Sequence, residues 1–465
     1  MAPVSGRSDT GKASTRRALV IGGGLAGITA ALRLADAGLA VTLAEARPRL
    51  GGLAFSFQRG ALTVDNGQHV FLRCCTAYRG LLQRLGVRDE VWLQPRLDVP
   101  VRDVNTGRAG SIRRDPLPVP LHLGRGLVSY PHLSFAERAA TGKAALALKR
   151  LDLADPALDQ RSFGDWLREH GQSPRAIEAL WDLVGVATLN ATADESSLAL
   201  AAMVFKTGLL SEPGASDIGF ARVPLGRIHD DMARAALDRA GVRVLLRARA
   251  VEVKPSGDGA GRHTVQLEGE RLEGGAETFA DLDALVLAVP QDAAHALLPP
   301  GSLDEPDALL ELGYAPILNV HVVYDRPVLD RPFLAALGSP VQWVFDRTPH
   351  SGLQGPGQYV ALSQSAAQAE IDLPVSVLRQ RYVPALERLL PKARQAEVTE
   401  FFVTRERTAT FAPAPGTARL RPSARTRTPG VHLAGSWTAT GWPATMESAV
   451  RSGTAAARSV LGELR

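Results

Sequence analysis

With 465 residues, 45% of them hydrophobic and 22% charged, the chain has the balance of a folded protein of two or three domains with a sizeable core. A net charge of +5 suits an anionic partner such as a membrane surface, whereas arginines scattered along the chain without interleaved aromatics argue against nucleic acid. The only cysteines, Cys74 and Cys75, are adjacent, which excludes a long disulfide-closed loop and leaves no metal-ligand spacing; they read as small, partly buried apolar side chains in a reducing compartment.

No apolar run approaches the ~20 residues that span a bilayer, and residues 1–16 lack the apolar core of a secretory signal. A disordered head and a cytoplasmic location are the expectation.

Residues 17–52, RALVIGGGLAGITAALRLADAGLAVTLAEARPRLGG, carry the strongest pattern. The apolar run 18–21 is predicted as a buried parallel strand, and it ends in a G-x-G-x-x-G at a strand-to-helix turn. In such a turn Gly22 permits the sharp bend, Gly24 lets a pyrophosphate approach the backbone, and Gly27 lets the helix pack close to the strand. The helix runs from about residue 28 to 37, and its N-terminus offers free N–H groups and a positive dipole end to a phosphate. The helix ends at Gly38, and a second strand over 40–44 leads to Glu45, a carboxylate roughly twenty residues on that can bind both ribose hydroxyls and disfavours a 2′-phosphate.

Downstream, a strand over 61–65 runs into Asp65-Asn66-Gly67-Gln68-His69, and 76–85 is a short amphipathic helix closed by Gly86. The text from 92 to 121 is strand-like, with a hairpin turn at Asn105-Thr106-Gly107. Ser134 and Glu137 form a capping-box signature for a helix reaching about residue 151, and further helices at 163–170, 173–184 and 196–210 make this stretch a helical insert. Between 117 and 153 an apolar ramp precedes a helix carrying Arg138, Lys143, Lys149 and Arg150, which suits an anionic lipid surface; periodicity equally allows a core helix with a solvated basic face. A helix over 228–240 and strands at 243–246, 250–253, 265–267 and 285–290 return the chain to the first sheet. Strands at 316–324, 340–345 and 359–362 with a helix over 374–390 look like a second sheet, and 431–434 is a strand before the last helix, 445–461.

The expected fold is α/β: a Rossmann-like domain of 17–92, 222–297 and 398–465 interleaved with an α+β substrate domain of 93–221 and 298–397. A ligand between them would sit where the parallel strands end.

The run Arg47-Pro48-Arg49-Leu50-Gly51-Gly52 resembles the R-x-G-G extension of the flavin-dependent amine oxidase and phytoene desaturase superfamily, and residues 435–453, GSWTATGWPATMESAVRSG, resemble its closing motif. That resemblance implies FAD, held without a covalent bond, since no cysteine lies in the C-terminal segment. It implies that Arg47, Gly51 and Gly52 join Gly22, Gly24, Leu25, Ala26, Gly27 and Glu45 around the pyrophosphate and ribose. It further implies Gly67 and Gln68 beside the ring, the Val251 backbone near the adenine, and Gly435, Ser436, Thr445 and Met446 at the flavin end. Ser436 departs from the family, which has Asp there.

Within the superfamily, DNGQHVFLRCCTAYRGLL at 65–82, LWDLVGVATLNATADESSLALAAMVF at 180–205 and the closing stretch look like the hydroxysqualene dehydroxylases. The implied reaction passes a hydride from reduced FAD to an allylic carbon of an apolar isoprenoid alcohol, with the hydroxyl leaving as water. His69 is the candidate proton donor and Asp65 the second; Trp437 and Trp442 are candidates to stabilise a developing cation. Protonation with or before hydride transfer, and the electron donor, stay open. A carotenoid desaturase is the nearer rival. An amine oxidase is the more distant one, because Thr445 stands where that group has the second aromatic of its substrate cage.

Overall fold

Five short parallel strands organise the molecule, in the spatial order Arg243–Leu246, Ala40–Glu45 (β2), Arg17–Ile21 (β1), Ala284–Leu287 and Val431–Leu433. The computed structural model describes residues 16–256 and 262–465; the expected disordered head, save Arg16, lies outside them. Leu19, Val20, Leu285 and Leu287 are fully buried, so the inner strands are near-continuous apolar runs, as strands covered on both faces must be. Leu19 pairs with Thr42 on one side and Leu285 on the other.

One face of the sheet is covered by two helices, Leu25–Asp36 (α1) and Met446–Glu463, which pack on each other. Their backbones nearly touch: a Cβ on Gly453 would lie 2.1 Å from the Ala26 carbonyl oxygen. On the other face Leu19, Ile21, Leu285 and Leu287 pack against Val265, Leu267 and Phe279 of a three-stranded antiparallel sheet and against the helix Leu198–Phe205.

The second large sheet has seven strands, in the order Val398–Thr410, Ala315–Tyr324, Gln358–Gln364, Trp343–Asp346, Phe333–Leu337, Asp98–Asp103 and Ala109–Arg113. The last two form the hairpin anticipated at Asn105, where the Asp103 carboxylate accepts from the N–H groups of Asn105 and Thr106. Two expectations change here. The strand Val398–Thr410, assigned from sequence to the flavin segments, pairs along its length with Ala315–Tyr324 and belongs to the second sheet; a strand's partner is a tertiary choice that its own alternation does not encode. The predicted strand over 340–345 is shortened to Trp343–Asp346, and it pairs antiparallel with Phe333–Leu337, a strand the sequence reading did not anticipate.

The helical insert is as expected. Helix Phe135–Arg150 carries a complete capping box, with the Ser134 hydroxyl accepting from the Glu137 N–H and the Glu137 carboxylate from the Ser134 N–H. Among the described residues no helix is long and apolar enough to cross a membrane.

One buried carboxylate fastens the C-terminal helix to the N-terminal segment. Glu447 accepts from the N–H groups of Ala77 at 3.1 Å and Tyr78 at 2.7 Å, at the first turn of helix Thr76–Leu85, and pairs with Arg451 at 2.7 Å. It supplies in trans the N-cap that Cys75 does not make. Replacing Glu447 by Ala leaves buried donors unmet and is expected to lower stability by about 3 kcal/mol or more, with Gln losing less. Urea unfolding of the two variants checks the order.

Candidate active site

The glycine turn after β1 is built by backbone contact. Gly22 donates to the Ala44 carbonyl at 2.7 Å and has φ 107°, and a Cβ on Gly27 would lie 1.8 Å from the Gly22 oxygen. The second glycine pair folds onto the first. Gly51 donates to the Gly23 carbonyl at 2.9 Å, and a Cβ on Gly52 would meet the Gly24 Cα at 3.0 Å. Gly24 is the exception, because a Cβ there would meet only the Gly52 Cα, at 3.8 Å. The protein leaves that side of the turn open, at the uncapped start of α1, where Leu25 and Ala26 follow.

Glu45 stands over this turn, accepting from the Gly23 N–H at 2.6 Å and the Arg47 N–H at 2.7 Å through its two oxygens. Each oxygen keeps lone-pair capacity for a ribose hydroxyl. The strand Arg249–Pro255 is tethered beside it, since the Ala248 N–H donates to the Glu45 carbonyl at 3.0 Å. Val251, half-exposed, sits at that strand's register irregularity between Ala250 and Glu252.

The R-x-G-G extension places a second arginine, Arg49, beside the glycine pair. Arg47 is exposed and contributes its backbone, while the guanidinium of Arg49 donates to the Gly52 carbonyl at 3.0 Å and lies 3.3 Å over the Phe55 ring. Burial lowers the Arg49 pKa and Glu45 partly restores it. Counting back from Gly51-Gly52 in R-x-G-G gives Arg49, so the signal was in the motif's own spacing. Beneath the loop, the ring of His229 is fully buried between the Ala54 carbonyl at 3.0 Å and the Tyr78 hydroxyl at 2.9 Å. Burial pushes its pKa down to about 4, so it is neutral, accepting from Tyr78 and donating to Ala54.

The closing motif is held by a residue that sequence reasoning missed. Arg421 is buried, lies over the Phe411 ring, and donates to the carbonyls of Ser436, Trp437, Thr438 and Trp442. Burial lowers its pKa to about 10. It is one arginine in an arginine-rich stretch, and nothing local marks it as the buried one. Gly435 is required because a Cβ would lie 2.2 Å from the Trp437 indole nitrogen, which donates to the Val289 carbonyl. Trp437 is therefore a buried packing residue with its N–H spent, which corrects its expected role at a substrate cation. Trp442 is partly buried and stacks under the Arg451 guanidinium. Thr445 caps the helix that starts at Met446, accepting from the Ser448 N–H, and the Ser448 hydroxyl donates to the Ser436 carbonyl.

The Asp65–His69 loop joins the two sheets. Asp65 accepts from the Ser56 hydroxyl, the Leu225 N–H and, at 2.5 Å, Arg347. Its oxygens are committed to structure, and it leaves the catalytic set. The Asn66 carbonyl accepts from Asn319 and Thr404 of the second sheet. Gly67 is buried, with His69 and Asn319 close to where its Cβ would be. Two buried polar atoms flank it without a protein partner, Gln68 Nε2 and Asn319 Oδ1. His69 lies with Gln68, Val70, Phe220, Phe345 and Arg347 around a small cleft. Burial first, then the Arg347 charge, push its pKa down to about 4, so the expected proton donor is a neutral imidazole at pH 7. Asn190, in the helical insert, is bonded to Ala315, Thr410 and Ala366.

These features fit FAD. The open side at Gly24 accommodates a pyrophosphate, Glu45 a ribose, and the unpartnered donor of Gln68 and acceptor of Asn319 suit a ring edge bearing both kinds of group. Fold and site together define an FAD-dependent oxidoreductase. Residues 25–461 match the model of the flavin containing amine oxidoreductases, and the chain belongs to that family. It is 28% identical to the hydroxysqualene dehydroxylase of Sinorhizobium fredii over 96% of this chain and 98% of that protein. It is 29% identical to the hydroxysqualene dehydroxylase of Rhodopseudomonas palustris, over 95% of this chain and 97% of that protein. A probable zeta-carotene desaturase of Synechococcus elongatus is 24% identical, over 96% and 98%. Among solved structures, a putrescine oxidase triple mutant superposes with a TM-score of 0.71 at 19% identity, covering 96% of this chain and 99% of that one, which supports the fold alone.

Because the protein itself tolerates a Cβ at Gly24 while a pyrophosphate would not, Gly24→Ala is expected to keep its far-ultraviolet dichroism and bind FAD on the order of tenfold more weakly or worse. Gly27→Ala is expected to lose fold and cofactor together. Flavin retention through gel filtration, beside dichroism, separates the two cases.

Proposed function

We propose that the protein removes the hydroxyl of hydroxysqualene reductively and releases squalene and water. The observation that carries the reading is similarity to hydroxysqualene dehydroxylases over nearly the full length of both chains. Thr445, spent on capping a helix, gives no second aromatic for an amine cage.

Bound FAD in its reduced form supplies the hydride, to the carbon that loses the hydroxyl. The chain's own residues must hold the alcohol against that source, exclude water and bring a proton to the departing oxygen. His69 is neutral, with roughly one ring in a thousand protonated at pH 7 for a pKa of about 4. We assign it to orienting the hydroxyl by a hydrogen bond, with the proton delivered through water. Burial keeps His69 in that neutral state, and Arg347, paired with Asp65, adds to it by repelling a second positive charge.

Anaerobic mixing of the dithionite-reduced protein with hydroxysqualene is expected to give squalene and oxidised flavin, while putrescine and benzylamine leave oxidised flavin unbleached. Desaturation of phytoene by the oxidised protein, with no squalene formed from the alcohol, would instead favour the carotenoid desaturase reading that the Synechococcus relative keeps in view.

The role of His69 has its own readout. An orienting neutral imidazole predicts a flavin reoxidation rate that is flat between about pH 6 and 8, more than about tenfold slower in His69→Ala, and partly rescued in His69→Gln. An imidazolium donor predicts a wild-type rate that climbs roughly tenfold for each unit of falling pH down to about 4. Stopped-flow absorbance over that range decides between them.

A further inference from the structure

The segment 116–128 and the helix Phe135–Arg150 pack on each other beside the strand Ala109–Arg113. Part of the apolar ramp legible in the sequence is core: Tyr130, Leu133 and Leu148 are buried. Arg138, expected on the basic face, is turned onto the Val128 carbonyl at 2.6 Å. What remains outward is ordered in two rows.

The first row is Leu121, Arg125 and Val128, at helical spacing on one face, with Leu121 60% and Val128 66% exposed. The second is Phe135, Ala139, Lys143, Leu146 and Arg150 along the long helix, opening on Phe135 at 82% exposed, the most exposed of the large apolar side chains among the described residues. Both rows alternate apolar side chains with cations.

The segment that forms this face is poor in carboxylates. Between residues 116 and 151 the sequence holds one acid, Glu137, and it is spent on the Ser134 N–H and the Ser173 hydroxyl. Asp115 before the segment, and Asp152 and Asp155 after it, mark its ends. A Phe, a Val and two Leu side chains held in water on adjoining helices, with cations between them and one acid, already spent, in the whole segment, form a patch that a soluble surface avoids unless something covers it.

We propose that this face docks on an anionic bilayer, with Leu121, Val128, Phe135 and Leu146 entering the acyl boundary and Arg125, Lys143 and Arg150 resting among the headgroups. The charge pattern selects that occupant: cations spaced singly between apolar tips match a surface of mobile anions, and the tips match what lies beneath it. The proposal does not depend on which lipid-soluble substrate the active site takes.

The test is flotation of the full-length, FAD-loaded protein with phosphatidylcholine vesicles, with and without phosphatidylglycerol. The wild type is expected to float with the anionic vesicles at low salt and to be released by high salt. The triple variants Leu121→Asp/Val128→Asp/Phe135→Asp and Arg125→Gln/Lys143→Gln/Arg150→Gln are each expected to reduce the bound fraction about tenfold or more while retaining their flavin spectrum. Leu310→Asp, at an exposed leucine outside this segment, is the control and should float as the wild type does. Equal flotation with neutral and anionic vesicles, or triple variants that float like the wild type, would overturn the proposal. So would a wild-type dimer in sedimentation that the apolar triple variant dissolves without changing flotation, since a second copy would then be what covers the face.

Discussion

Everything in this molecule depends on backbone meeting backbone around α1. A Cβ on Gly27 would clash with the Gly22 carbonyl, one on Gly453 with the Ala26 carbonyl, and one on Gly52 would press on Gly24. Three separated parts of the chain therefore converge on one helix N-terminus at distances only glycine allows, and that is where a pyrophosphate is best held by N–H groups and the helix dipole. The close packing that shapes the cofactor site also fixes the long C-terminal helix against the first one.

The interleaved segments are held in register by a few buried polar groups with many partners. Glu447 caps a helix some 370 positions away, Arg421 gathers four carbonyls of the closing loop, and Asp65 with Arg347 joins the flavin side to the second sheet. Such groups add little net stability when satisfied and lose several kcal/mol when one partner is removed. They specify which parts of the chain meet, where apolar contact alone would tolerate alternatives. Arg421 does this without a carboxylate, using carbonyl oxygens and the face of Phe411.

Burial sets the chemistry of the site as well as its shape. His69, His229 and His321 are all held well below the ordinary imidazole range by desolvation. Around the His69 cleft this leaves a neutral imidazole beside the paired charges of Asp65 and Arg347. His321, bonded to Tyr359 and Thr404 and stacked on Phe402, carries the same character into the second sheet.

The sequence by itself determined whatever depends on neighbours a few residues away. The Ser134–Glu137 capping box and the hairpin at Asn105 have their partners within a few residues, and the strand, glycine turn, helix, strand and Glu45 of 17–45 repeat a pattern whose spacing alone defines it. Tertiary structure decided what depends on partners far along the chain. It turned Arg49 onto the Gly52 carbonyl, buried Trp437, committed Asp65 to Arg347, placed the strand Val398–Thr410 in the second sheet and drew Arg421 into the closing loop. It also set the protonation of His69 and sorted the apolar ramp into core and surface, because both follow from how much water each group loses, and that is fixed only when distant segments close around it.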